Sequence, residues 1–312
     1  MPEKRHTEFS GLAFAALVIG GTTIGFSAVY VKLSVVGPTA TAFFRLFLSL
    51  PLLLAWMRLH ERRAARHTPR PQWRPFLLLP GFFFASDIAM WHWSIQYTTI
   101  ANATLLGNLA PIFVTIFAWA LFRERVTRLF LLGLATALLG TALMMGTSLR
   151  LSPANFLGDA LGVGTAVFYG AYQLSIKRLR ATFSTPTLLT YVAFSGVPLL
   201  FVLTLASGEA VLWWRVAPFW IGLLPLLGLA WVSQVFGQGA IVFGVQKLPA
   251  SFSSVTLLIQ PVVSAAAAWV IFGEALGPAQ LCGAAVVLVG IFIAQRGYLR
   301  AARAGRRAAQ PR

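Results

Sequence analysis

The chain repeats itself. Displaced by 150 residues, it lays Pro111, Trp119, Phe122, Glu124, Gly133 and Gly140 onto Pro261, Trp269, Phe272, Glu274, Gly283 and Gly290 without a gap. The shared pattern is P-x7-W-x2-F-x-E-x8-G-x6-G. In 312 residues with only 10 Trp and 17 Pro, chance does not reproduce six positions in register, so the two halves descend from one duplicated unit. The same displacement pairs Pro75 with Pro225 and Gln96 with Gln246, and a displacement of 145 pairs Gly25 and Lys32 with Gly170 and Lys177.

What is duplicated is a membrane unit. Residues are 58% hydrophobic and 11% charged, with a mean hydropathy of +0.76, where soluble domains hold about 25% charged residues. A bilayer-spanning helix takes ~20 apolar residues, and apolar runs of that length lie at Gly11–Leu33, Pro38–Met57, Pro75–Tyr97, Ala101–Phe122 and Val126–Gly146. A second five follow at Phe156–Ile176, Thr185–Leu205, Pro218–Gln246, Ala250–Phe272 and Leu276–Ala294. Lys4 and Arg5 precede the first run as they would a signal peptide, but that run exceeds a typical h-region and shows no clear cleavage site, so it is read as helix 1. The expected fold is an all-α integral membrane protein of ten transmembrane helices. It divides into a tail over 1–9, five-helix units over 10–146 and 156–295, and a basic tail over 296–312.

Five is odd, so the second unit enters the membrane from the side opposite the first. The halves are then inverted repeats, related by a pseudo-two-fold axis in the membrane plane, an arrangement that lets one midplane site open alternately to either side. Basic residues set the orientation, because short Lys/Arg-rich loops stay cytoplasmic. Of 25 Lys and Arg, Lys32 and Arg45 lie in spans, Arg150 and Arg215 fall on one side, and the other 21 fall on the opposite side. The densest clusters are Arg58–Arg74 and Arg296–Arg312. Both termini are therefore expected in the cytoplasm, with the chain in a bacterial-type inner membrane. Topology accounts for the net charge of +17, so nucleic acid is not an expected partner. The lone Cys282 admits no internal disulfide.

The doubled block of Pro, Trp and Phe-x-Glu followed by Gly-x6-Gly resembles the drug/metabolite transporter superfamily, specifically its ten-helix EamA type. The resemblance covers about residues 10–295. It implies a basket of helices 1–4 and 6–9 around a central cavity, with helices 5 and 10 outside, and it implies export. Similar families move amino acids, nucleotide sugars, other metabolites and drugs, so the motifs are silent on substrate.

The acids and polar stripes point to a site. Seven of the eight acids lie in tails, loops or span ends; Asp87 does not. At ~1.5 Å per residue from Pro75, Asp87 stands ~12 Å below the outer edge of a ~30 Å hydrocarbon core, and Arg45, descending from Pro38, lies at nearly the same depth. An ionised side chain there costs at least ~2.5–3.5 kcal/mol unless it is paired or meets water. Two readings stand: an ion pair that locks two helices, or a cavity site for substrate or a proton. Positions i, i+4 and i+7 share a helix face. On that basis Trp91 joins Asp87, Asn108 joins Thr104, Tyr169 and Tyr172 join Thr165, and Gln260 joins Ser253 and Thr256. Gln234 and Gln238 share a face with Trp231. Tyr30 and His92 complete the candidates in a second tier, His92 on a face about 140° from Asp87. Each stripe alone is explained by interhelical hydrogen bonding; stripes on seven helices favour a shared aqueous cavity. Glu124 and Glu274 read as anchors of neighbouring helix ends.

No HExxH, GxSxG or GxxxxGK[ST] motif is present, so neither a metal, a cofactor nor an ATPase site is expected, and enzymatic activity is not. The sequence reading is a secondary exporter of a small polar or zwitterionic metabolite such as an amino acid, with Asp87 toward an ammonium and Arg45 toward a carboxylate. Its expected partners are that small molecule and the lipid bilayer, with a homodimer left open. Efflux of hydrophobic drugs and a non-transporting membrane scaffold are the alternatives.

Overall fold

The computed structural model describes residues 10–64, 75–98, 100–124, 126–145, 153–209, 212, 214, 217–273 and 275–309, and all regular structure among them is helical. Eight helices are long and apolar enough to cross a bilayer. These are α1 (Gly11–Leu33), α2 (Pro38–Arg63), α4 (Asn102–Phe122), α5 (Arg128–Met145), α7 (Thr185–Ala206), α8 (Phe219–Lys247), α9 (Ala250–Phe272) and α10 (Pro278–Ala301). Two further helices pack among them, α3 (Leu79–Tyr97) and α6 (Phe156–Leu179). Asp159, Lys177 and Arg178 make α6 less apolar than its neighbours. The surroundings of the helices are apolar too, since large hydrophobic residues such as Leu132, Phe194, Trp220 and Val270 stay exposed around the bundle. In water such a perimeter would aggregate; in lipid it is solvated.

Local chemistry sets the helix ends. Gly37 and Pro38 open α2, with Pro at the first helical turn, where its missing N–H costs nothing. The first amides of α2 are satisfied from elsewhere in the chain, as Thr39 N and Ala40 N donate to the Glu209 carboxylate at 3.2 and 2.7 Å. Helices α4 and α9 both end in a left-handed residue, Arg123 at φ 53° and Gly273 at φ 68°. These positions are equivalent in the sequence repeat, and each immediately precedes its glutamate. Inside α8, Pro225 withholds a backbone donor, and the π-helix Gly228–Gly237 follows three residues later.

Helices α5 and α10 lie against each other along their length. A Cβ on Gly140 would meet the Gly283 carbonyl oxygen at 2.8 Å, and one on Gly283 would meet that of Gly140 at 2.7 Å. Gly133 likewise faces the Gly290 carbonyl, while Gly290 faces Ala137. The contact is reciprocal: the two motif glycines of one half oppose the two of the other in reverse order. Only a bare Cα permits so close an approach of two backbones. Replacing Gly140 by Leu is therefore expected to lower stability by about 1–3 kcal/mol, read as a fall in melting temperature in detergent. Gly11→Ala, at a site with nothing within 4 Å, should not lower it. Equal tolerance of both changes would contradict this packing.

Contacts between helix ends sort them into two groups. Phe14 stacks on Phe252, Glu124 reaches Ala250 and Lys177 reaches Val245. The start of α1, the ends of α4, α6 and α8 and the start of α9 therefore share one end of the bundle. Lys32 lies over the Phe272 ring, Thr39 binds Glu209 and Thr98 binds Asp159. The end of α1, the start of α2, the end of α3, the start of α6 and the end of α9 thus share the other. Helix α9 differs between its ends, since Ala250 to Leu258 are all buried and Gln260 to Ser264 are not.

Candidate functional site

The bundle encloses a cavity of about 640 Å³ within the half nearer Leu33 and Phe272, inside the 300–1,000 Å³ common for small-molecule sites. Its walls come from α1, α2, α3, α4, α6, α8 and α9. Neither α5 nor α10 contributes a lining residue, the peripheral position that the resemblance implies; α7 does not reach the cavity either. Of the residues singled out in the sequence, Arg45, Asp87, Trp91 and Asn108 line it, as do Tyr169, Gln238 and Gln260.

Arg45 enters from α2. Its Nε donates to Gln234 Oε1 at 2.8 Å, and its guanidinium lies over the Phe84 ring with 5.4 Å to the centroid. A hydrogen bond on one edge and a ring below hold the planar fork in a single orientation. Asp87 enters from α3 and is 8% exposed; its backbone carbonyl accepts from Thr165 Oγ1 at 3.4 Å. The two opposite charges border one cavity, but among the described residues they make no ion pair within 4.0 Å. The direct approach that their matching depths suggest does not occur, because Arg45 Nε engages Gln234 instead. A carboxylate and a guanidinium standing apart in an otherwise apolar bundle each require water or a charged ligand.

A second layer backs the first. Tyr172 and Gln234 are buried behind the cavity wall: Tyr172 O–H donates to Gln238 Oε1 at 3.3 Å, and its ring packs 6.1 Å from Tyr169 and 4.9 Å from Phe84. Gln234 Nε2 and Gln260 Nε2 are buried without a hydrogen-bond partner. Gln260 itself lies on the wall, as does Tyr169.

Two second-tier residues stand elsewhere. Trp231 is 45% exposed, and its indole N–H donates to the Leu48 carbonyl at 3.2 Å. The α-helical spacing that grouped it with Gln234 and Gln238 fails because Trp231 and Gln234 sit in the π-helix, whose i→i+5 bonding puts more than 3.6 residues in each turn. Tyr30 packs on Gly228 and not on the cavity. The side chain of His92 lies outside the described residues, as does Glu274. Phe84, Ile88, Lys32 and Ser264 line the cavity without having been singled out. Phe84 and Ile88 carry no polar signal in an apolar run. Lys32 did: it is one of two bases inside the spans.

A cavity of this size, mostly apolar but carrying Arg45 and Asp87 within a bundle of apolar helices, is what a multi-pass membrane transporter needs. Comparison with known proteins makes the class specific. The chain belongs to the EamA-like transporter family, whose model matches residues 10–146 and again 156–295, and it is thereby of the drug/metabolite transporter type. An "Uncharacterized transporter" of Archaeoglobus fulgidus is 29% identical over 90% of this chain and 96% of its own length. A "Probable amino-acid metabolite efflux pump" of Salmonella typhimurium is 27% identical over 80% and 86%. One crystal structure superposes with a TM-score of 0.73 at 16% identity, covering 90% of this chain and 98% of that one, a likeness of fold.

The cavity is expected to hold water. With Cys282 replaced by Ser, a cysteine at Asn108 or Ser264 should react with a charged maleimide at least tenfold faster than one at Trp119, which is 65% exposed on the bundle's outer face. The thiolate that reacts does not form in an apolar surround. Equal rates at the three positions would remove the aqueous cavity.

Proposed function

We propose that this protein is a secondary transporter that exports a small zwitterionic metabolite, an amino acid in the first instance, by alternating access at the cavity of Arg45 and Asp87. The observation that supports this most directly is the separation of the two charges. Held apart in one cavity, the guanidinium offers its outer N–H groups to a carboxylate while Asp87 meets an ammonium, so one ligand satisfies both. Phe84, Trp91 and Tyr169 add apolar and aromatic wall for a side chain. Export is the direction borne by the name of the Salmonella relative. A carrier of purely hydrophobic drugs has no use for two uncompensated charges in its cavity.

The reading includes ten membrane crossings, with Pro75–Tyr97 and Phe156–Leu179 completing the eight apolar helices, and two inverted five-helix repeats. Reciprocal glycine contacts between α5 and α10, and left-handed residues at the equivalent ends of α4 and α9, support the inversion. Both termini are assigned to the cytoplasm of a bacterial inner membrane, since the bundle end where α6 and α8 finish carries Lys177, Arg178, Arg180 and Lys247.

Transport into proteoliposomes of a panel of radiolabelled amino acids tests the substrate class. Asp87→Asn and Arg45→Gln are each expected to reduce uptake at least tenfold while the purified protein still elutes as one folded species. Undiminished uptake by Asp87→Asn would dismiss the charge-pair site. The topology has its own test: reporter fusions at Arg312 and within Arg62–Arg70 should both report the cytoplasm, and a periplasmic signal from either would overturn the orientation or the number of crossings.

A further inference from the structure

The cavity lies in one half of the bundle, and the opposite half is closed around a break in the chain. Helix α8 stops at Lys247, Leu248 is extended, and α9 starts at Ala250 after Pro249. Such a break presents two unsatisfied helix ends side by side, carbonyl oxygens at the negative pole of α8 and amide hydrogens at the positive pole of α9. Each pole meets a full charge of the opposite sign. Lys177 Nζ, from α6, donates to the carbonyls of Val245 at 2.8 Å, Gln246 at 3.4 Å and also Leu248. Glu124, just past α4, accepts from Ala250 N at 2.8 Å, Ser251 N at 3.2 Å and Ser251 Oγ at 2.7 Å. A lysine and a glutamate from two helices thus clasp the junction of two others, and every residue from Ala250 to Leu258 beyond it is buried.

The opposite end holds the same ingredients in another arrangement. Lys32, which corresponds to Lys177 in the sequence repeat, lines the cavity and lies 4.2 Å from the Phe272 ring centroid. The break between α3 and α4, which corresponds to that between α8 and α9, is held from α6: Asp159 accepts from Thr98 Oγ1 at 2.7 Å and Asn102 Nδ2 at 3.1 Å. One end is clasped by Lys177 and buried, while the cavity that Lys32 lines lies toward the other.

We propose that Glu124 and Lys177 are the gate of the closed end: their grip on the α8–α9 junction keeps the cavity sealed on that side, and its release opens the Ser253–Thr256 stretch of α9 to solvent. This rests on the carrier reading above and names the residues that decide which side its site faces. Charge on a helix pole suits the task, because each such contact is individually modest, and the pair is strong enough to hold a closed state without making it permanent.

The test reads accessibility rather than transport. In a Cys282→Ser background, Ser253→Cys lies on the α9 face shared by Gln260 and is buried, so in detergent it should resist a charged maleimide while Asn108→Cys reacts. Adding Lys177→Met or Glu124→Ala is expected to raise labelling at Ser253→Cys at least fivefold and to lower labelling at Asn108→Cys as the population shifts, whereas Lys177→Arg should leave both near the starting rates. Should either variant fail to fold, Ser251→Ala, which removes one of the three hydrogen bonds to Glu124, should shift both rates in the same directions by about twofold. Unchanged labelling at Ser253→Cys in folded protein overturns the gate. A rise there with no fall at Asn108→Cys also overturns it, since that is local loosening rather than alternation. Amino-acid uptake by the unaltered protein separates the two proposals: uptake with no change in labelling sinks the gate alone, and absent uptake with the labelling shift sinks the amino-acid carrier alone.

Discussion

Inside a bilayer, a helix end and a charged side chain pose the same problem, because there is no bulk water to complete either. This protein solves one with the other. Glu209 takes up the first amides of α2, Glu124 those of α9, and Lys177 the last carbonyls of α8. Each of these contacts joins residues far apart in sequence, so the charges that complete helix ends also tie the bundle together. The breaks that give a transporter its moving joints would be intolerable in lipid without them.

Arg45 and Asp87 are the exceptions that follow from this rule. Neither serves a helix end, and they do not neutralise each other directly. Arg45 is instead fixed by Gln234 and Phe84, contacts that orient a guanidinium without cancelling its charge. The structure thus keeps a guanidinium and a carboxylate at one cavity without pairing them to each other. A binding site for a ligand of mixed charge is the use to which that arrangement is suited. The tyrosine pair at 169 and 172, stacked and tied to Gln238, backs the Phe84 ring on which Arg45 lies.

Much of this was legible before any coordinates. Arg45 and Asp87 stand out because a charge in a long apolar run is costly and hence conspicuous, and the glycines of α5 and α10 because their spacing recurs. Glu124 reads as an anchor from its place at a span end, and it is one. Other parts were hidden for identifiable reasons. Phe84 supports Arg45 yet is indistinguishable in sequence from the exposed Phe82 two residues before it. Tyr172 and Gln234 share stripes with cavity residues but lie one layer back, a difference of depth that periodicity does not encode. Trp231 was displaced by a π-helix that begins after Pro225, and no residue pattern announces where such a segment stops.

The sequence by itself determined that the chain is a duplicated, helical membrane protein, because both the repeat and the length of an apolar run are one-dimensional quantities that the bilayer converts directly into spans. It also determined which charges have no inexpensive place to go. Only the tertiary structure decided how those charges are shared out: Arg45 to Gln234 rather than Asp87, Lys177 and Glu124 to a helix junction, Lys32 to the cavity. The physical reason is that a charge in lipid is compatible with any partner that completes it, whether carboxylate, carbonyl row, ring or water, and the choice among them depends on which helices the packing of small residues brings together.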